Sequence, residues 1–279
     1  MSNNRTFSLH KISDADNLGF SAIEYSKFKF GDKDIARRYG HQLAEAFIRK
    51  NHMRLTKQIV VCSSPYCFIP TATYAMKDYF VQVLNEWLMN TGHPVVQELQ
   101  IYRTITYKED YGALSADERM KLIGKASFHI DASFIKNGAD KLVLFLDDIK
   151  ITGSHERVVA RMIHDYGIID VDHMFLYFAE LVNPQIHPRI ENDLNYAYVK
   201  DLLCLDKVIK NSNFLFNTRV VKYILNAPHD EFVQFIQYQP IVLVWTLYHL
   251  AIGNSYHNIE DYAANFTFLK NLVTNNQPY

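Results

Sequence analysis

Short apolar runs alternate with longer amphipathic stretches over the first two thirds of the chain. The runs are apolar or β-branched and bounded by turn residues, which predicts strands over residues 58–63, 95–101, 141–146 and 171–181. The stretches between them place apolar side chains at helical spacing, which predicts helices over residues 34–50, 71–91, 128–137 and 154–166. Strands separated by helices in this order predict an α/β fold with a parallel sheet and right-handed crossovers.

The strand pattern fades after about residue 192. Helical spacing then predicts helices over residues 200–211, 217–226, 230–252 and 257–273, with Pro240 kinking or splitting the third. We therefore predict an α/β core with its N-terminal segment over residues 1–190, and a mostly helical extension over residues 191–279 packed on it. Residues 102–111 are polar and charged and are interpreted as a long mobile loop.

Composition and charge narrow the classes of function. The chain has 279 residues, 48% hydrophobic and 14% aromatic, with a net charge of −1, which argues against disorder and against a dedicated nucleic-acid binder. No run approaches the roughly 18 apolar residues of a membrane span. The first residues lack the apolar stretch of a signal peptide, and the cysteines Cys62, Cys67 and Cys204 are too few for a disulfide framework. We expect a cytoplasmic protein with reduced thiols.

Two adjacent acids and a glycine turn follow the most apolar predicted strand. Asp147 and Asp148 come directly after it, and Thr152-Gly153-Ser154 opens the next predicted helix. Ligands of parallel sheets bind outside the carboxyl ends of strands, and free N–H groups at a helix N-terminus hold phosphate. Carboxylates bind sugar hydroxyls or Mg²⁺, which prefers oxygen ligands. The spacing therefore predicts a site for a phosphorylated sugar.

Each of these features also has a purely structural interpretation. The acids are equally typical of a helix cap that compensates the helix dipole. Ser63-Ser64-Pro65 is a common turn composition, and residues 25–32 are interpreted as a packed turn. Cys62 and Cys67 lack the two further ligands that a zinc site needs.

The order of apolar strand, two acids, three variable residues and Thr-Gly-Ser resembles the phosphoribosyl pyrophosphate signature of type I phosphoribosyltransferases. The resemblance covers residues 58–180, and the segment Tyr25–Asp32 is similar to a little-characterised subgroup of that family. It implies that Asp147 and Asp148 bind the ribose diol or Mg²⁺. It also implies that the 5′-phosphate is held by Thr152, Gly153, Ser154 and His155.

The resemblance implies further roles outside this signature. Ser63, Ser64 and Tyr66 follow the first core strand and would hold the leaving pyrophosphate with Mg²⁺. Arg103 and Lys108, in the predicted mobile loop, would neutralise developing charge after the loop closes. The implied partners are phosphoribosyl pyrophosphate and a small-molecule acceptor, framed by the N-terminal segment and the helical extension. The acceptor remains unidentified, and the oligomeric state is left open, with a homodimer as one alternative.

Three departures from the family pattern leave alternatives open. Ile151 stands where purine-salvage members carry an acidic general base, His155 replaces a Thr or Ser, and the loop Ser63-Ser64-Pro65-Tyr66 lacks the usual Gly or basic residue. An aliphatic side chain accepts no proton, so a regulator or sensor that binds a ribose phosphate without turnover is the second hypothesis. A pyrophosphokinase that makes phosphoribosyl pyrophosphate is the third, although no ATP-binding motif supports it.

Overall fold

Five parallel strands form the central sheet. The computed structural model describes residues 6–103, 128–130, 138–165 and 171–275. The sheet has the order β1-β7-β6-β2-β3, and β4 and β5 form a separate antiparallel pair. The strands are β1 (Thr6–Ile12), β2 (Gln58–Ser63), β3 (Gln97–Glu98), β4 (Ile101–Arg103), β5 (Phe128–Ile130), β6 (Lys141–Lys150) and β7 (Asp172–Leu181). This arrangement confirms the predicted α/β fold with a parallel sheet.

The strand order creates a crevice between β2 and β6. The chain leaves β2 toward β3 on one side, and leaves β6 toward β7 on the other, so the order reverses between these two neighbours. Ser63 at the end of β2 lies in register with Leu146 of β6. In open α/β sheets, ligands bind at such a reversal, outside the carboxyl ends of the strands. The residues that follow Ser63 and Leu146 are therefore candidates for binding a ligand.

Helices cover the two faces of the sheet, because alternate residues of each strand point to opposite sides. One face packs against α2 and α3 through residues such as Ile59, Val61, Leu142 and Leu144. The other face contacts α4 through residues such as Val60, Val143, Phe145 and Val159. The helices of this part are α1 (Ala22–Lys29), α2 (Lys33–Asn51), α3 (Ala72–Asn90) and α4 (Ser154–Asp165).

The C-terminal part is helical, as predicted, and has its own apolar core. Pro240 splits the predicted third helix rather than kinking it. The helices are α5 (Ile190–Asn195), α6 (Leu202–Asn211), α7 (Thr218–Leu225), α8 (His229–Gln237), α9 (Ile241–Gly253) and α10 (Ala263–Asn275). In the described part of the chain, no helix combines the length and apolar composition that crossing a membrane requires.

Hydrogen bonds join the helical part to the core near the carboxyl edge of the sheet. The Asn254 side-chain oxygen accepts the main-chain N–H groups of Phe68 and Ile69, at 2.9 and 3.0 Å. Gly31 has a φ of +95°, and a Cβ there would lie 2.4 Å from the Leu215 carbonyl oxygen. Glycine is therefore required where α1 meets the helical part. The predicted boundary at residue 190 remains a prediction.

Several predicted boundaries were wrong. Strand β6 continues through Asp147 and Asp148 to Lys150 instead of ending before the acids. The segment predicted as one strand over 95–101 forms β3 and β4, and the turn predicted over 25–32 is mostly helix α1. Strand β5 replaces the start of the helix predicted over 128–137, whose residues 131–137 lie outside the described part, and β1 was not predicted at all. Residues 104–111 of the predicted mobile loop also lie outside the described residues.

Candidate functional site

Asp147 lies at the crevice between β2 and β6. The Ser64 hydroxyl, just after β2, donates to Asp147 Oδ1 at 2.6 Å, and the Thr73 hydroxyl of α3 lies 3.3 Å from the same atom. His155 Nδ1 of α4 lies 2.8 Å from Oδ2. Burial alone would raise the pKa of Asp147, but His155 and Ser64 outweigh burial and hold this pKa well below its usual range. Asp147 is therefore a carboxylate at neutral pH.

Asp148 turns toward the opposite helical layer and contacts different partners. The Tyr25 hydroxyl of α1 donates to Asp148 Oδ2, and Lys29 Nζ lies 2.5 Å from that same oxygen. The Thr73 hydroxyl donates to Oδ1 at 3.0 Å. The Asp148 side chain is 7% exposed. The Asp148 carboxylate is thus already paired with three side chains of the protein: a phenol, an ammonium and a hydroxyl.

The two neighbouring acids consequently differ in what they offer a ligand. The Asp147 side chain is 17% exposed, more than twice the fraction of Asp148. Lys29 compensates the charge of Asp148 inside the fold, which a buried carboxylate requires. Asp147 is the acid better placed to contact a ligand in the crevice.

The turn before α4 has the backbone expected of an anion-binding segment. Gly153 has a φ of +67°, a left-handed conformation that glycine adopts without strain. The Thr152 and Ser154 hydroxyl oxygens lie 2.8 Å apart, and Ser154 is buried at the start of the helix. Arg157 donates to the Thr152 carbonyl and to the Ser154 hydroxyl, each at 2.9 Å. The turn therefore combines a helix N-terminus, two hydroxyl groups and a guanidinium, all of which suit a phosphate.

An ion-pair cluster lies beside this turn. Lys150 Nζ lies 3.0 Å from Glu156 Oε1 and 3.3 Å from Glu180 Oε1. Glu156 also accepts the Thr6 hydroxyl, and Glu180 accepts the Ser8 hydroxyl. Two carboxylates thus neutralise Lys150, so the cluster supports the strand ends instead of adding positive charge to the turn.

A cleft of about 410 Å³ opens beside Ser63 and Ser64. Its walls are the loop after β2, the start of α3 and the segment from β3 to β4. Three tyrosines, Tyr66, Tyr74 and Tyr102, line it together with Lys77 and Glu98. The volume lies in the range of small-molecule sites.

Comparison with known families identifies the family to which the chain belongs. The sequence model of the PRTase ComF-like family matches residues 3–269, nearly the whole chain. The chain belongs to this family. The predicted resemblance to type I phosphoribosyltransferases is thereby confirmed, and membership of the PRTase ComF-like family indicates phosphoribosyl transfer as the general class of chemistry. A search of curated proteins finds no match to this chain.

The structure brings some of the predicted site residues of this PRTase ComF-like protein together and separates others. Ser64, Asp147 and His155 are in mutual contact through Asp147. Ser63 and Tyr66 do not contact Asp147 and line the neighbouring cleft, which Ser64 also borders. The Thr152-Gly153-Ser154 turn opens α4, as predicted.

The two predicted cationic residues do not join this cluster in the described part of the chain. Arg103 ends β4, where its main-chain N–H donates to the Tyr66 carbonyl at 2.9 Å. Burial raises the pKa of the Tyr256 phenol in the helical part, and the hydrogen bond with Asn254 and the charge of Arg103 partly offset that rise. Lys108 falls outside the described residues. Their catalytic roles stay predictions.

Sequence reasoning missed four residues of the site, namely Tyr25, Lys29, Thr73 and Arg157. Tyr25 and Lys29 contact an acid more than 100 positions away in the chain, and nothing in their local pattern indicates that contact. Thr73 contacts both acids from the first turn of α3. The similarity of the segment around Tyr25 to a phosphoribosyltransferase subgroup was the available signal, and it was interpreted as a packed turn.

The oxygen atoms around Asp147 Oδ1 fit Mg²⁺, whereas the surroundings of Asp148 Oδ2 do not. Ser64 Oγ and Thr73 Oγ1 lie 2.6 and 3.3 Å from Asp147 Oδ1, and these three oxygen atoms are of the donor type that Mg²⁺ prefers. His155 Nδ1 contacts the other carboxylate oxygen, Oδ2. An ammonium already contacts Asp148 Oδ2, so a cation there would meet like charge. Among the described residues, no group of three His, Cys, Asp or Glu side chains is arranged to hold a metal ion. Mg²⁺ at Asp147 would therefore need further oxygen ligands from a substrate or water.

Proposed function

We propose that this protein is a Mg²⁺-dependent phosphoribosyltransferase. It would transfer ribose 5-phosphate from phosphoribosyl pyrophosphate to a small nucleophile, such as a nucleobase-like acceptor, and release pyrophosphate. The observation that carries the proposal is the 2.6 Å contact between Ser64 and Asp147. It joins the loop after β2 to the acid pair on β6 at the reversal of strand order, a few residues before the Gly153 turn.

Phosphate binding in this proposal falls to the turn before α4. The main-chain N–H groups from Thr152 to His155 hold the 5′-phosphate, with the Thr152 and Ser154 hydroxyls assisting. Arg157 adds a charged donor from one helical turn further on. Ser63, Ser64 and Tyr66 hold the leaving pyrophosphate on the other side of Asp147. Bound Mg²⁺ supplies charge neutralisation for the phosphate oxygens.

Asp147 orients the ribose and stabilises positive charge. Its pKa lies well below the usual range, so the carboxylate stays charged when C1′ gains oxocarbenium character. The acid is fixed by Ser64 and His155 before any substrate arrives, so little reorganisation is needed. Asp148, held by Lys29 and Tyr25, keeps this part of β6 in place.

Calorimetric titration with phosphoribosyl pyrophosphate tests the proposal. We expect binding that strengthens with Mg²⁺ and weakens at least about tenfold in Asp147→Asn, because one charge-assisted contact is lost. The control Asp193→Asn removes a carboxylate that is 65% exposed on α5, and its affinity should be unchanged. Equal affinity in the wild type and Asp147→Asn would contradict the assigned site.

A ribose-phosphate sensor without turnover is the second candidate, because Ile151 provides no general base in the turn. Pyrophosphate release, measured with a panel of nucleobases and amines, distinguishes the two candidates. Release that depends on one acceptor supports the transferase. Tight binding of phosphoribosyl pyrophosphate with no release across the panel supports the sensor.

A further inference from the structure

Thr73, in the first turn of α3, connects the two acids of the candidate site. Its hydroxyl oxygen lies 3.0 Å from Asp148 Oδ1 and 3.3 Å from Asp147 Oδ1, so one O–H group lies between two carboxylates. The residue is 1% exposed, which shields this hydroxyl from solvent. Neighbouring like charges repel each other, most strongly where water is scarce. A hydrogen-bond donor shared by both carboxylates offsets that repulsion and restricts the rotation of both side chains.

The Thr73 hydroxyl completes the set of partners around Asp148. Lys29 and Tyr25 contact Asp148 Oδ2, whereas Thr73 donates to Oδ1. Without the hydroxyl, a carboxylate oxygen on a side chain that is 7% exposed would lose this donor. A buried charged oxygen that loses its donor is costly, so the Asp148 side chain would rotate to find another partner. Such a rotation would also disturb the neighbouring carboxylate of Asp147.

The start of α3 is fixed by contacts with two other helices, so Thr73 projects from a firm support. The Thr218 main-chain N–H of α7 donates to the Pro70 carbonyl, just before α3, at 2.9 Å. Further along α3, a Cβ at Gly40 of α2 would lie 2.5 Å from the Met76 carbonyl oxygen, so α2 and α3 are in close contact. Side chains that hold a binding group in its productive geometry need support of this kind.

We infer that Thr73 is a positioning residue of the sugar-phosphate site. Its hydroxyl holds Asp148 toward α1 and keeps Asp147 in the orientation that faces the crevice. The inference rests on the proposed function, since Thr73 would position the carboxylate that contacts the ribose. In this role Thr73 acts through the two carboxylates, with or without Mg²⁺.

Calorimetric titration of the full-length protein tests this role with ribose 5-phosphate and inorganic phosphate, each without Mg²⁺. Thr73→Val keeps the shape of the side chain but lacks the hydroxyl. We expect it to weaken the binding of ribose 5-phosphate about tenfold, because the acid pair is no longer held. The binding of phosphate should stay unchanged, since the turn before α4 holds phosphate without the acids. Thr73→Ser keeps the hydroxyl and should retain the affinity of the wild type for both ligands.

Thr91→Val is the matched control, because it removes a hydroxyl at the opposite end of α3. The Thr91 hydroxyl donates to the Trp87 carbonyl at 2.9 Å, so this variant also loses one hydrogen bond, and its affinity for ribose 5-phosphate should be unchanged. Thr73→Ala removes the hydroxyl without placing a methyl group against Asp148. It should show the same selective loss if Thr73→Val folds poorly.

Several results would overturn the inference. Equal binding of ribose 5-phosphate by the wild type and Thr73→Val, or its absence in the wild type, would do so. An equal loss for phosphate would indicate a general structural effect, and a loss seen only with Mg²⁺ would make Thr73 a metal ligand instead. The proposed function is tested separately by phosphoribosyl pyrophosphate. A wild type that binds ribose 5-phosphate but not phosphoribosyl pyrophosphate would contradict that function and leave the result on Thr73 in force.

Discussion

Lys29 Nζ lies 2.5 Å from Asp148 Oδ2, so an N-terminal helix neutralises the second acid of the pair from inside the fold. Both side chains are largely buried, at 12% and 7% exposed. Breaking a buried pair leaves an uncompensated charge, which costs far more than the pair contributes when intact. This relationship makes α1 part of the site although Lys29 lies 119 residues before Asp148 in the chain.

Replacing Lys29 therefore tests the support of the acid pair. Lys29→Met should lower the free energy of unfolding by about 3 kcal/mol, because Asp148 stays buried with only hydroxyl partners. Urea unfolding measures the change, and Lys33→Met, at an exposed position of α2, should cost under about 0.5 kcal/mol. The double variant Lys29→Met/Asp148→Asn should recover most of the loss. A single variant as stable as the wild type would show that the pair does not support the fold.

Stability at alkaline pH tests the buried tyrosines. Burial, and then Asp148, raise the pKa of Tyr25 well above its ordinary value of 10.0, and burial also raises the pKa values of Tyr39 and Tyr177. The unfolded chain loses these phenol protons first. Their contribution to stability is thus complete below pH 10 and is lost as the pH rises from there toward the folded-state pKa values.

Urea unfolding between about pH 8 and about pH 11.5, a range that brackets the ordinary phenol pKa of about 10, measures this loss. The free energy of unfolding should fall above about pH 10, and Tyr25→Phe should show a shallower fall. Tyr238→Phe changes a phenol that is 74% exposed and should leave the slope as in the wild type. If the free energy of unfolding falls as steeply with pH in Tyr25→Phe as in the wild type, Tyr25 does not contribute to the loss of stability at alkaline pH.

The Gly153 turn is tested by a matched pair of glycine variants. Gly153 and Gly92 both have left-handed backbone conformations, with φ of +67° and +76°, but Gly92 lies at the end of α3 with no atom near its Cβ position. Valine at either position should cost at least about 1–2 kcal/mol of stability. Only Gly153→Val should lose the binding of ribose 5-phosphate, measured by calorimetry. Unchanged binding in Gly153→Val would refute the assigned phosphate turn.

The sheet was predictable from the sequence because its central strands carry continuous apolar runs. Residues 142–146 are all apolar and fully or nearly buried in the structure, which is the pattern of a strand covered on both faces. The extension of β6 to Lys150 was not visible, because polar residues such as Asp147 and Asp148 at the edge of a sheet resemble a loop. Strand β1 was missed although Phe7 and Leu9 alternate with polar residues, which is the pattern of a strand with one covered face.

The site was predictable only as far as its residues are close together in the chain. The order of acids and Thr152-Gly153-Ser154 indicated the turn and the carboxylates directly. The contacts of Asp148 with Tyr25 and Lys29 depend on how α1 packs over the sheet, which no local pattern encodes. Asp147 and Asp148 are equivalent neighbours in the sequence. Tertiary packing makes them different, because it pairs Asp148 with Lys29 and leaves Asp147 more exposed.

The loop after β2 is anchored by the helical part through two side chains, Asn254 and Thr218. Asn254→Ala would leave the buried N–H group of Ile69 and the part-buried N–H group of Phe68 without their acceptor, and should lower the free energy of unfolding by about 1–3 kcal/mol. Thermal and urea unfolding measure the loss. Asn258→Ala changes an exposed residue nearby and should have little effect. If both variants unfold alike, the anchor does not contribute to stability.

The junction at α1 has a consequence for any shortened form of the chain. The Asn217 amide donates to the Lys29 carbonyl at 3.1 Å, and the Ser26 hydroxyl donates to the Asn195 carbonyl at 2.8 Å. A fragment ending at residue 190 would lack both partners, so the segment presenting Lys29 to Asp148 would lose its outer support. Experiments on the proposed sugar-phosphate site therefore need the helical part as well as the α/β core, because the helical part supports α1 from outside the sheet.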